Sequence, residues 1–160
     1  MTEATKSSEA DHPGVVARPP YLVLATVLLG LTLEWLGPTQ LPGGWLREVL
    51  WVALVAGGVV LMATAMRQFR AAGTNVETWR PTEAIVTRGV YARTRNPIYL
   101  AMLAIYTGIA LGVDSAWLLA LVIPLALVLR YGVIAREERY LEAKFGEPYR
   151  AYRATVRRWL

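Results

Sequence analysis

The sequence of 160 residues contains no cysteine and a single histidine. The first absence excludes disulfides, thiolate metal ligands and a cysteine nucleophile. The histidine is His12, in a polar N-terminal stretch, so no imidazole is available as a base or ligand in the body of the chain. A glycine-rich G-x-G-x-x-G turn is missing too, which removes the usual cradle for a dinucleotide pyrophosphate. Charge is sparse: 18% of residues are charged, and none between Val49 and Met66. The balance is basic, at +5, but the arginines flank apolar segments instead of forming one continuous face, which argues against nucleic acid. No metal site is expected from this composition.

What is present is apolar. The hydrophobic fraction is 55%, against about 45–50% in soluble domains, and it is gathered into four runs. Pro19-Pro20 opens the first, residues 21–36, and Gly37-Pro38 stops it. The second covers residues 45 to about 66, the third 97 to about 113, and the fourth follows Asp114-Ser115 to about residue 134. A bilayer core of about 30 Å needs about 20 helical residues, with about 17 as a minimum. The second and fourth runs are long enough. The first and third read as spans completed by flanking residues, or else as a buried hairpin or re-entrant segment. The short link at Asp114-Ser115 predicts a tight antiparallel pair, and Pro124 a kink in the fourth helix.

Residues 1–18, rich in Thr, Ser, Glu and Ala without apolar periodicity, read as a disordered tail, and 19–160 as one domain. After the fourth run, Glu147-Pro148 opens a helix in which Tyr149, Tyr152, Val156 and Trp159 recur at helical spacing. That pattern suits an interfacial amphipathic helix on lipid, or a helix packed on the ends of the bundle. The expected fold is therefore all-α: an integral membrane helical bundle of about four transmembrane helices with a cytosolic C-terminal amphipathic helix. With four crossings, sixteen of the seventeen Lys and Arg residues fall on the side of the termini and only Arg47 on the other. The positive-inside rule then predicts a multi-pass protein of the cell membrane with both termini cytoplasmic.

Every candidate ligand-binding residue falls on that cytoplasmic side. Arg93 and Arg95 precede a helix start, with Asn96 at the N-cap position and Pro97 at the first helical position, an arrangement suited to an anion. Glu137 and Glu138 stand where the fourth helix leaves the apolar run, and an unbroken helix would place Arg130 on the face of Glu137. Tyr91, Tyr99 and Tyr131 offer aromatic walls. Such a set suits a ligand with an anionic end, a diol or cationic end, and an aromatic group.

In order along the chain, Gly89-x-Tyr91, Arg95-Asn96-Pro97-x-Tyr99, Glu137-Glu138-x-x-Leu141 and Phe145-Gly146-x-x-Tyr149-x-x-Tyr152 resemble the isoprenylcysteine carboxyl methyltransferase and phospholipid methyltransferase family. Gly73-Thr74-Asn75-Val76 and Arg80-Pro81-Thr82 also look like its bacterial members. The resemblance covers residues of about 67–158 and departs from the pattern at Asn96, where many members have His, and at Val90, where many have Pro. It implies an integral membrane methyltransferase using S-adenosyl-L-methionine, bound at the cytosolic ends of the last helices under the C-terminal segment. Carried onto this chain, it makes Tyr91, Arg95, Asn96, Pro97, Tyr99, Leu100, Glu137, Glu138 and Leu141 the cofactor-binding set. Within that set Arg95, Tyr99 and Glu138 are the catalytic candidates. Arg95 suits the cofactor's carboxylate, Glu137 or Glu138 its ribose hydroxyls, and Tyr99, Leu100 and Leu141 its adenine. The acceptor would be a hydrophobic or lipid-like molecule entering from the bilayer, with membrane lipids as the surroundings. Two other functions compete: a membrane reductase using a nicotinamide cofactor, and a non-enzymatic membrane scaffold or transporter subunit. Transporters place polar groups near the bilayer midplane, where these runs have almost none.

Overall fold

The computed structural model describes residues 13–75 and 81–160. Val76 and Arg80 of the family-like motifs, His12, and most of the expected disordered tail lie outside the described residues. Every regular element among the described residues is helical. Helices α1 (Pro19–Leu36), α2 (Gly44–Ala71) and α3 (Pro97–Gly112) are followed by α4 (Ala116–Val128). A π-helical turn, Leu129–Ile134, joins α4 without a break to α5 (Ala135–Phe145), and α6 (Glu147–Thr155) follows. Three of these helices are long and apolar enough to cross a membrane: α1, α2 and the continuous rod Ala116–Phe145. At 1.5 Å per residue the 18 residues of α1 span about 27 Å and the 28 of α2 about 42 Å. Helix α3, with 16 residues, is shorter.

The element boundaries follow local chemistry. Proline occupies the first turn of α1, α3 and α6, where its missing N–H costs nothing. Ser115 caps α4 by accepting the N–H of Leu118. Pro124 lies inside α4, and the helix continues through it.

Apolar side chains cover both the interior and the outside. Tyr99, Tyr106, Leu118, Leu125, Leu129 and Val133 form the buried core between α3 and the α4 rod. Leu28, Val52, Val60, Ile123 and Leu127 are exposed, as is Trp35 at the end of α1. A soluble protein does not leave such a continuous apolar surface bare, whereas lipid tails accept it. Since lipid gives little hydrophobic drive for helices to associate, close packing has to hold them together. Helices α2 and α3 achieve it through glycine. A Cβ on Gly58 would lie 2.6 Å from Ile105 Cγ1, and one on Gly108 2.7 Å from Val55 Cγ2.

Away from the candidate site, a polar network ties the helix ends together. Glu34 accepts hydrogen bonds from Ser115 and from the N–H and hydroxyl of Thr39. Asp114 accepts the Leu41 N–H at 2.7 Å and pairs with Arg47. These bonds hold the Asp114 carboxyl below the usual carboxylate range, the backbone N–H of Leu41 being the main cause.

The tail expectation is corrected where residues are described. Val16 N–H donates to Gly132 C=O at 3.2 Å, Arg136 donates to Gly14 C=O at 2.8 Å, and Val15 packs against the core. Residues 13–18 therefore dock along the π-helical turn.

Candidate functional site

The site is assembled around the turn that leads into α3. Gly89–Ala92 forms one 3-10 turn, secured by the Val90 N–H donating to Gln68 Oε1 at 3.2 Å. Tyr91 stacks obliquely on Phe69 of α2 with ring centroids 5.1 Å apart, and its carbonyl accepts the Tyr152 hydroxyl at 2.7 Å. Asn96 occupies the N-cap position of α3, but its side chain does not cap. Its Nδ2 donates instead to Arg158 C=O at 3.0 Å, beside Thr94 Oγ1, which donates to the same carbonyl at 3.2 Å. The Arg95 N–H donates to Arg157 C=O at 3.0 Å. The turn is thus stitched to the C-terminal segment.

Above the turn lies a cavity partly open to solvent. Tyr91, Arg95, Asn96, Pro97, Tyr99, Glu137, Glu138 and Leu141 all line it. Leu100 does not. One residue beyond Tyr99, it is turned by about 100° from that side chain, away from the wall. Arg93 is exposed off the wall, leaving Arg95 as the turn's only guanidinium in the cavity. Tyr131 and Arg130 are also exposed and outside it. The cause is the π-helical turn Leu129–Ile134. Its i→i+5 bonding takes one residue more per turn than an α-helix, so Arg130 and Glu137 no longer share a face.

The charges are unequally partnered. Arg158 grips Glu138 with both prongs, Nε to Oε1 at 3.1 Å and NH2 to Oε2. Arg95 NH1 lies 3.3 Å from Glu138 Oε1, yet the alignment is poor: Nε and NH1 of Arg95 are buried with no hydrogen-bond partner. The Tyr91 hydroxyl is buried and unpartnered as well. Glu137 accepts the Tyr99 hydroxyl at 2.7 Å, and among the described residues no cation pairs with it. Burial, chiefly, raises the phenol groups of Tyr91 and Tyr152, and that of Tyr149 to about 12 with a further push from Glu138. At neutral pH these tyrosines are hydrogen-bond donors, not phenolate bases.

Several wall residues escaped the sequence reading. Tyr149 and Tyr152, for which lipid headgroup level and packing on the bundle are both open from sequence, are buried and line the cavity. Helix α6 ends at Thr155, so Val156 and Trp159 lie beyond it, and Trp159 packs on the core. Of the two readings of this segment, packing on the bundle is the one observed. The opposite wall comes from the loop at residues 82–86, tied down by Thr74 Oγ1 accepting the Glu83 N–H at 2.9 Å and by Asn75 Nδ2 donating to Pro81 C=O. Pro13 also contributes. Arg158, which the sequence reading counted only as a topological charge, holds Glu138 from behind the wall.

The model of the phospholipid methyltransferase family matches residues 46–148. A protein of Haemophilus influenzae described as uncharacterized is 46% identical over 65 residues, which cover 39% of this chain and 100% of that protein. No solved structure matches.

Proposed function

Because the chain belongs to the phospholipid methyltransferase family, we propose that it is a membrane methyltransferase. It uses S-adenosyl-L-methionine and acts on a hydrophobic or lipid-like acceptor at the cytosolic face. In this reading α1, α2, α3 and the α4 rod are four crossings, with α3 completed by its flanking residues. Both termini and α6 lie in the cytosol, and residues 19–160 form one domain. The basic residues support that orientation, since Arg47 alone sits among the groups at the far end.

The observation that carries the cofactor assignment is the pair of unpartnered Arg95 donors, with the Tyr91 hydroxyl, on the cavity wall. Buried donors are almost always satisfied, and leaving one unmet costs about 1–3 kcal/mol. An amino-acid carboxylate is the acceptor that such a donor calls for. Glu137 is the better ribose acceptor, since both oxygens of Glu138 are taken by arginines while Glu137 has one partner. Apolar and aromatic groups between these ends, among them Ile98, Leu141 and Tyr149, suit an adenine. Bound there, S-adenosylmethionine supplies an electrophilic methyl group to an in-line nucleophile. The chain's own part is to orient both reactants and exclude water.

Thermal unfolding of the purified protein in detergent tests this reading. S-adenosylhomocysteine should stabilise it and NADPH should not. Stabilisation by NADPH alone would favour the reductase, and no response to millimolar S-adenosylhomocysteine would remove the methyltransferase reading.

A further inference from the structure

Two guanidiniums meet one carboxylate at the anionic end of the cavity, and the three groups are not equivalent. Glu138 spends its hydrogen bonds on Arg158, which approaches through both Nε and NH2. Arg95 is near enough to feel the carboxylate but is not aimed at it. Arg158 itself does not line the cavity. Its backbone is pinned by Thr94 and Asn96, the two residues flanking Arg95. The group Arg95–Glu138–Arg158 therefore carries one positive charge in excess, and that excess is displayed by the arginine that faces the cavity.

We propose that Arg158 is a positioning residue that sets ligand specificity: by occupying Glu138, it keeps Arg95 available for the carboxylate of the bound cofactor. The proposal rests on the S-adenosylmethionine reading above. Without Arg158, Glu138 has one remaining cation, 3.3 Å away. A small re-aiming makes Arg95 and Glu138 a two-pronged pair, the geometry that arginine and carboxylate prefer. The group then has no excess charge and no free donor for an anion. Removing the carboxylate as well restores the excess, since Arg95 is again alone.

The test measures binding of two probes to the whole protein in detergent. S-adenosylhomocysteine has the amino-acid carboxylate, whereas 5′-methylthioadenosine keeps the adenosine and sulfur but lacks the amino-acid tail. Arg158→Gln should weaken S-adenosylhomocysteine about tenfold, the order of one charge-assisted hydrogen bond, while changing 5′-methylthioadenosine by less than about twofold. The double variant Glu138→Gln with Arg158→Gln should return S-adenosylhomocysteine to within about threefold of the wild type. A merely structural arginine would weaken both probes equally and would not be rescued by a second loss, and either result overturns the proposal. If the single variant is too unstable to bind either probe, the double variant decides: a wild-type preference for S-adenosylhomocysteine supports the proposal and its loss overturns it. Failure of the wild type to bind S-adenosylhomocysteine defeats the cofactor reading itself and the proposal with it, whereas equal losses in a binding-competent protein defeat only the role of Arg158.

Discussion

Replacing Arg95 by Met should make the ligand-free protein no less stable and yet nearly blind to S-adenosylhomocysteine. The side chain is 10% exposed, and two of its donors have no partner. Each such donor costs about 1–3 kcal/mol, so an apolar chain of similar length removes a penalty. The 3.3 Å ion pair with Glu138 and the hydrogen bond with Tyr149 are lost, but Glu138 keeps its two-pronged Arg158 and the Arg95 N–H keeps its bond to Arg157 C=O. The ligand, by contrast, loses the charge-assisted contact to its carboxylate, about 3 kcal/mol at the high end of the usual range, or about 100-fold in affinity. At a concentration 100 times the wild-type dissociation constant, the wild type gains about 2.7 kcal/mol and the variant about 0.4 kcal/mol. For a chain of this size those gains correspond to shifts of about 5–10 °C and about 1 °C in the unfolding midpoint. Thermal unfolding in detergent, with and without ligand, reads both halves. A variant that loses several degrees without ligand, or retains wild-type affinity, would refute the assignment of Arg95 as a cation held in waiting.

Glu137→Gln should weaken S-adenosylhomocysteine and 5′-methylthioadenosine alike, by about tenfold, because both carry the ribose; an effect confined to the first would move Glu137 to the amino-acid end. Gly58→Val should cost several kcal/mol of stability in detergent, since a Cβ there meets Ile105 Cγ1 at 2.6 Å and the Ala101 carbonyl at 3.1 Å. Gly57→Ala, where a Cβ meets nothing within 4 Å, should be close to neutral, and equal losses at the two positions would disprove close approach as the cause. The cysteine-free chain also permits single-cysteine labelling: Lys144→Cys should react with an impermeant reagent only after the cell is opened, and Pro42→Cys in intact spheroplasts. The reverse pattern would invert the orientation.

Much of this was readable from composition and spacing, for identifiable reasons. Long uncharged runs have one economical solution, so the courses of α2 and the rod from Ala116 were evident. Proline at the first turn marked the starts of α1, α3 and α6. The pairing of the Arg95–Tyr99 turn with Glu137-Glu138 rested on ordered motifs, and the cavity does bring them together. The π-helical turn left no mark, because the pattern of Leu129–Ile134 suits both helical periods. Tyr131 and Arg130 were consequently assigned to the wrong face. The positions of Tyr149 and Tyr152 stay open for a related reason: an aromatic stripe fits lipid and a buried wall equally well, and only tertiary packing distinguishes them. Arg158 depends on the course of the extended segment after α6, which no periodicity announces.

The π-helical turn holds a residue in reserve between the membrane-crossing part of the rod and the site. Six positions, Leu129 to Ile134, separate α4 from α5. Because i→i+5 bonding fits one residue more into a turn than an α-helix does, deleting one of the six and relaxing to an ordinary α-helix leaves everything beyond in nearly the same orientation. Glu137, Glu138 and Leu141 would still face Tyr99 and Arg95. Adding a residue has no such reserve and would rotate everything beyond by about 100°. Drift of this family's sequences through that segment should accordingly tolerate loss of a single residue better than gain of one.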